Sequence, residues 1–337
     1  MKKSNSFVFS VFALLCATVA SSAQTSAAPP VSEGTFLTPD KMRIFYKIVG
    51  AGDDTLVMVH GGPGNSLESI RADMDPLAKG RRVIYYDQRG QGRSELLTDG
   101  ERLSYKNHVA DLEALREHFK LEKIALFGNS WGGLLVSLYA IAHPDRVERL
   151  VLDVPAAPIA GFNDDMNDEI ARRMAVIYKP DQLKRFRSLI QPDAWLKAKD
   201  PIAHCREFYH SILAVYTHGS RSLDTIKFKG DVCAGGKESV RNQRIANSHA
   251  WSSLGDYNIV SQLAGVKAPV LVVHGASDVI QLRGSEFYAS GYPNARLLVI
   301  QNAGHIAHVE TPDIFFPAVE TFLKGSFPAE AKKVERR

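Results

Sequence analysis

A hydroxyl sits between two glycines in the stretch Gly128-Asn129-Ser130-Trp131-Gly132. The apolar run 124–127 before it reads as a short buried strand. Residues 133–143 read as a helix, with Leu134, Leu135, Leu138 and Ile141 at helical spacing. Glycines two positions either side of a serine imply a turn too tight for a Cβ. The G-x-S-x-G pattern lifts a nucleophilic hydroxyl above a sheet, at a helix N-terminus. A plain glycine-rich strand-to-helix turn is the alternative.

Three further loops follow strand-like runs and carry the partners a serine nucleophile needs. In His60-Gly61-Gly62-Pro63-Gly64, the glycines let backbone N–H groups approach a ligand closely. Attack by a serine develops an oxyanion, and its donors would be the N–H of Gly62 and that of Trp131. Asp278 follows a buried run, where a carboxylate can orient an imidazole; an Asx-turn or cap role is the alternative. Asp153 is a rival acid and ranks lower, as a structural residue. His305 follows Asn302-Ala303-Gly304, at a point from which a histidine can reach back to the serine. His308 reads as scaffold or surface. In the order Ser130, Asp278, His305, the serine would attack a carbonyl and the histidine would shuttle its proton through an acyl-enzyme.

The elements that must position these loops alternate. Strand patterns at 42–49, 55–60, 82–87, 124–127 and 148–154 are interleaved with helical patterns at 66–79, 104–119 and 133–143. This rhythm predicts an α/β fold with a mostly parallel, doubly wound sheet covered on both faces. From 155 to 263 it breaks into charged, amphipathic, helical stretches. It returns with strands at 268–275 and 295–301 and a last helix at 312–324. The reading is one sheet in two parts, 24–154 and 264–326, interrupted by a helical insertion, 155–263, and ending in a basic tail, 327–337. An insertion leaving the carboxyl edge of the strands would lie over the site as a lid.

The chain has 337 residues and a formal net charge of +4. Residues 1–23 read as a signal peptide: Lys2 and Lys3, then an apolar run too short to span a bilayer comfortably, then Ser21-Ser22-Ala23 at the cleavage site. Leu15 is bulky before Cys16, which favours plain secretion over a lipid anchor. The expected location is therefore periplasmic or extracellular, with no stable membrane insertion after cleavage. Losing Lys2 and Lys3 leaves the charge only slightly positive, and no basic run is interleaved with aromatics, so nucleic acid is not an expected partner. The tail Lys332-Lys333-Val334-Glu335-Arg336-Arg337 reads as a solvated end. Cys205 and Cys233 remain as an even pair, which suggests a disulfide in an exported protein; two buried thiols are the alternative. No metal-ligand cluster is present, and no metal or cofactor is expected.

The stretches His60 to Gly64, "DQRGQGRS" (87–94), "GNSWGG" (128–133), "GASD" ending at Asp278, and Gly304-His305 together resemble the α/β-hydrolase superfamily, and within it the proline iminopeptidase-like serine peptidases. The resemblance implies a cap after the sixth strand and release of an N-terminal residue, often proline, from small peptides. It also implies cap carboxylates that hold the substrate's free amine. The available acids are Asp164, Asp165, Asp168, Glu169, Glu207, Glu238 and Asp256, and none is singled out by its surroundings. Asp87 and Arg89 are expected to tie loops beneath the site. An esterase or amidase on small acyl substrates is the alternative enzyme, and a non-catalytic receptor the alternative class. A dehalogenase would carry Asp where this chain has Ser130.

Overall fold

The computed structural model describes residues 30–335, apart from Pro192 and residues 221–224. The expected signal peptide, 1–23, lies outside the described residues. Among the described residues, eight strands form one sheet in the order β1-β2-β4-β3-β5-β6-β7-β8. They are β1 (Val31–Leu37), β2 (Arg43–Val49), β3 (Thr55–Val59), β4 (Arg82–Tyr86), β5 (Ile124–Asn129), β6 (Val147–Asp153), β7 (Val270–Gly275) and β8 (Ala295–Ile300). β1 and β2 run antiparallel to their neighbours. The pairs from β4 to β8 are parallel.

The helices are α1 (Arg71–Met74), α2 (Tyr105–His118), α3 (Trp131–Ala142), α4 (Phe162–Ile177), α5 (Pro180–Leu189) and α6 (Ala194–Lys197). They continue with α7 (Pro201–Tyr216), α8 (Gly236–Ser252), α9 (Leu282–Gly291), α10 (Ala307–Glu310) and α11 (Pro312–Leu323). Alternate residues of each central strand enter different cores. Val57, Leu126, Leu152 and Val272 pack against α2, α3 and α9. Leu56, Phe127, Val151 and Leu271 pack against α1 and α11. Covered on both faces, β7 is buried along its whole length, as a central parallel strand must be.

Between β6 and β7 the chain forms α4 to α8. Their internal core joins Leu189, Trp195, Phe208 and Val240 to a disulfide between Cys205 and Cys233. A second cluster seats Ile170 and Met174 of α4 and Val215 of α7 on Val279 and Ile280, beside Asp278. The insertion is thereby packed directly on a strand-end loop of the sheet.

Two local expectations need correction, and one strand is unforeseen. β1 has no counterpart in the sequence reading: it is an edge strand with only Phe36 buried, so its side chains carry no alternation to find. The helix expected at 66–79 is a 3₁₀ turn, the short α1 and a second 3₁₀ turn. Pro76 removes a backbone donor there and breaks the helix. The basic tail is not free in solvent. Lys332 and Leu297 exchange two backbone hydrogen bonds at 2.8 Å, Ala331 is buried, and Val334 packs on the core. The exposed edge of β8 supplies the unpaired backbone groups that recruit it. Among the described residues, no helix is long and apolar enough to cross a membrane.

Candidate active site

Ser130 stands between β5 and α3 with φ 54° and ψ −121°. A non-glycine residue in such a conformation costs about 1–3 kcal/mol and persists only where its surroundings hold it. Here the Ser130 N–H donates to Asp153 O, and Ser130 O accepts from the N–H of Gly133 and of Ala156, each at 2.9 Å. The flanking glycines are dictated by contact. A Cβ on Gly128 would lie 2.3 Å from Gly132 O, and one on Gly132 would lie 2.2 Å from Val59 O. The elbow is therefore packed backbone against backbone.

Asp278, beyond β7, and His305, beyond β8, come together. His305 Nδ1 lies 2.9 Å from Asp278 Oδ1 and 3.0 Å from Oδ2. Burial disfavours the His305 cation, but the Asp278 charge and hydrogen bond outweigh it and raise the pKa above the ordinary 6.5. Burial likewise opposes the Asp278 anion, and His305 outweighs it, holding the carboxyl below its usual value. Asp278 also accepts from the Ile280 N–H at 3.0 Å. The backbone N–H of His305 donates to Tyr216 O at 2.8 Å, and the Tyr216 ring meets the imidazole edge-on at 5.0 Å.

Ser130 and His305 line one cavity of about 230 Å³, together with Gly61, Gly62 and residues of α7 and α8. A larger groove, about 1230 Å³, runs between α9, β8 and the C-terminal segment and contains none of Ser130, Asp278 and His305. Gly62 has φ +48°. The Trp131 N–H falls in the first turn of α3, where no intrahelical acceptor exists. Its indole is buried and donates to Gln88 Oε1 at 3.0 Å, while Gln88 donates to His60 O at 2.9 Å, linking the elbow to the glycine loop. Burial pushes His60 down to about 4, and its Nδ1 bonds Gly61 O. His60 is thus a neutral support for the loop.

Below the site, Asp87 accepts from the N–H of Leu67 and of Arg93, both at 2.7 Å. Arg89 grips Asp111 through two bonds, at 2.8 and 2.6 Å. Asp153, the rival acid, faces His308: their Oδ2 and Nδ1 are 3.6 Å apart. Asp153 Oδ2 also accepts from Asn129 at 2.9 Å. His308 is buried and lines the cavity, so it is no surface residue.

None of the candidate amine-binding acids lines the cavity. Asp164, Asp165, Asp168, Glu238 and Asp256 are exposed. Glu169 is bonded to Arg172 and Arg173 at 2.7 and 2.6 Å, and Glu207 to Arg185 at 2.6 Å. Each sits where water or a guanidinium already solvates it, which is the ordinary condition of an acid on an amphipathic helix.

Two positioning residues escape the sequence reading. Arg173 of α4 donates to the carbonyls of Val215, Ser277 and Asp278 at 3.0, 2.8 and 3.0 Å, clamping the acid's loop to the insertion. Glu310 accepts from the N–H of His218 and of Gly304, both at 2.7 Å, which fixes the residue before His305.

Comparison with known proteins agrees with this geometry. The family described as "alpha/beta hydrolase fold" matches residues 54–312. A proline iminopeptidase of Lactobacillus helveticus is 28% identical over 297 residues, covering 83% of this chain and 93% of its own. One from Lactobacillus acidophilus is 27% identical over 299 residues, covering 83% and 94%. The crystal structure of a Mycobacterium smegmatis proline iminopeptidase superposes with a TM-score of 0.62 at 22% identity, covering 87% of this chain and 98% of that one. The family match spans most of the chain and the sheet order agrees with it, so this protein belongs to the α/β-hydrolase fold family and is a hydrolase, with proline iminopeptidases among its relatives.

Proposed function

We propose that the chain is an exported serine hydrolase acting on small substrates through an acyl-enzyme. Ser130 Oγ attacks a carbonyl carbon while His305 takes the hydroxyl proton. Asp278 holds the imidazole in one tautomer and stabilises the imidazolium. The N–H groups of Gly62 and Trp131 receive the oxyanion. The intermediate collapses as His305 passes the proton to the leaving group. A water deprotonated by His305 then attacks the acyl-enzyme, the acid leaves, and Ser130 regains its proton. The observation that carries this reading is the two-oxygen approach of Asp278 to His305 Nδ1, in a cavity shared with a serine held at positive φ.

The relatives' name supports release of an N-terminal residue, often proline, from small peptides. The cavity favours a second reading, a small-acyl esterase or amidase, because no described lining residue is a carboxylate able to hold a free amine. Export is supported by the N-terminal sequence and by the disulfide. Rates on proline-p-nitroanilide, its N-acetyl form and short p-nitrophenyl esters separate the two. A large preference for the free amine establishes the aminopeptidase. Equal rates on free and acetylated forms, or activity on esters alone, remove it and leave the esterase or amidase.

A further inference from the structure

Among the described residues, the wall around Ser130 holds no carboxylate and one permanent cation, Arg244. Arg244 is on α8, is solvent-exposed, and lines the cavity, which puts it at the open side. Among the described residues, no hydrogen bond or ion pair engages its guanidinium. Its neighbours on the insertion are different: Arg241 meets Glu238, Arg185 meets Glu207, and Arg172 and Arg173 meet Glu169. The Arg244 charge is felt by Tyr209, whose hydroxyl donates to Asn65 Oδ1 at 2.7 Å. Asn65 lines the same cavity.

The acids nearest the serine lie outside the cavity wall. Asp278 faces His305, and Asp153 faces His308 and Asn129. An α-ammonium entering here would lose water, find no anion, and meet the like charge of Arg244. A carboxylate would instead gain charge-assisted bonds from a planar fork suited to it. The rest of the wall includes Phe208, Ile212, Leu213, Phe228 and Val232, which suits an uncharged group. At about 230 Å³ the space is below the usual range of ligand clefts, so the substrate is small.

We propose, resting on the serine-hydrolase reading, that this site cleaves small amides or esters with a neutral acyl part and a carboxylate on the leaving group, held by Arg244. N-acyl amino acids are the simplest case. The apolar wall takes the acyl group, and the anionic leaving group lies toward the open side. In the first step the bond from carbonyl carbon to Ser130 Oγ forms, the C–N bond breaks, and the serine proton reaches the departing amine through His305. Water then splits the acyl-enzyme, giving one carboxylic acid and one amino acid.

The test uses a panel of N-acetyl amino acids, each with its C-terminal carboxamide as the neutral control, and reads amine release. The wild-type ratio of kcat/KM, acid over amide, is expected to be about 10 to 100, the worth of one hydrogen bond to a charged group. In Arg244→Gln the ratio should collapse to about 1, and Arg244→Lys should recover part of it. A wild-type ratio near 1, or one unchanged in Arg244→Gln, overturns the proposal. Preference for p-nitrophenyl hemisuccinate over p-nitrophenyl butyrate, without the acid-over-amide preference, overturns the leaving-group placement. If no panel member is cleaved while a fluorophosphonate still labels Ser130, the substrate class is wrong and the serine-hydrolase reading stands. Failure of labelling at Ser130 overturns that reading instead.

Discussion

The loops at the strand ends and the helices that cover them hold the site in different ways. The loops are fixed by backbone contacts: the elbow's glycines touch carbonyl oxygens, and the peptide groups of Ser130 and His305 each have a partner. The insertion is held by a disulfide, by side-chain packing and by ion pairs on its outer faces. Backbone packing tolerates almost no substitution, so the chemistry leaves a short, recognisable mark in the sequence. Helix surfaces tolerate a great deal, so the residues that select the substrate leave none. On the proposed function, one region would carry the reaction and the other the choice of substrate, and mutations should separate the two.

The largest effects should come from the loops. Ser130→Ala and His305→Ala are each expected to lower kcat by about 10⁶-fold, because the two act as a unit. Asp278→Asn should cost about 10⁴-fold. All three should keep the wild-type circular dichroism spectrum. His305 must be neutral to accept a proton, and its pKa is raised above 6.5, so kcat/KM should fall as pH drops through that raised value. The acid limb is therefore expected above 6.5 in the wild type. It should move down in Asp278→Asn, where the raising charge is gone. An acid limb that ignores Asp278→Asn would break the pairing.

The next effect sharpens the boundary between the regions. Arg173 belongs to the insertion but holds the carbonyls of Ser277 and Asp278. Arg173→Ala should lower kcat by about 10- to 100-fold through a displaced acid loop. KM should change little, and Arg173→Lys should rescue only in part. A pure KM effect would place Arg173 with substrate choice instead.

A smaller effect on chemistry, but a clear one on stability, is expected from the disulfide. It closes a separation of 28 residues. Changing both Cys205 and Cys233 to Ser should cost about 2–4 kcal/mol in thermal or denaturant unfolding. Fluorophosphonate labelling at Ser130 should survive that change. Two alkylatable thiols in unreduced protein from an oxidising compartment would rule the bridge out. The smallest effects belong to the exposed acids of α4. Asp164→Asn, Asp165→Asn and Asp168→Asn should each shift stability by less than about 0.5 kcal/mol and leave KM unaltered. A large KM change in any of them would bring that acid back to the substrate.

What the sequence made visible follows the same division. The alternating strands and helices of the sheet announce themselves by periodicity. Ser130 is marked by glycines two residues away, and those glycines prove to be in contact with Gly132 O and Val59 O. β1 gave no signal because an edge strand buries almost nothing. The tail looked like a solvated charge run because its docking uses the backbone of Lys332, which composition does not report. Arg173 could not be singled out, since its acceptors are carbonyls 42, 104 and 105 residues away. The acids of the insertion read alike because i,i+3 and i,i+4 pairs with arginine look the same on any helix face. Arg244 has no such pair among the described residues, whereas Arg241 does, and that is visible only once the helices are folded.

The most direct test of the central claim is to react the protein with a fluorophosphonate and map the adduct by peptide mass spectrometry. One phosphonyl group on Ser130 is the predicted result. It should be absent in Ser130→Ala and much slower to form in His305→Ala, with the rate rising across the His305 titration. A stoichiometric adduct on another residue, or none on Ser130 in folded protein, would contradict the account.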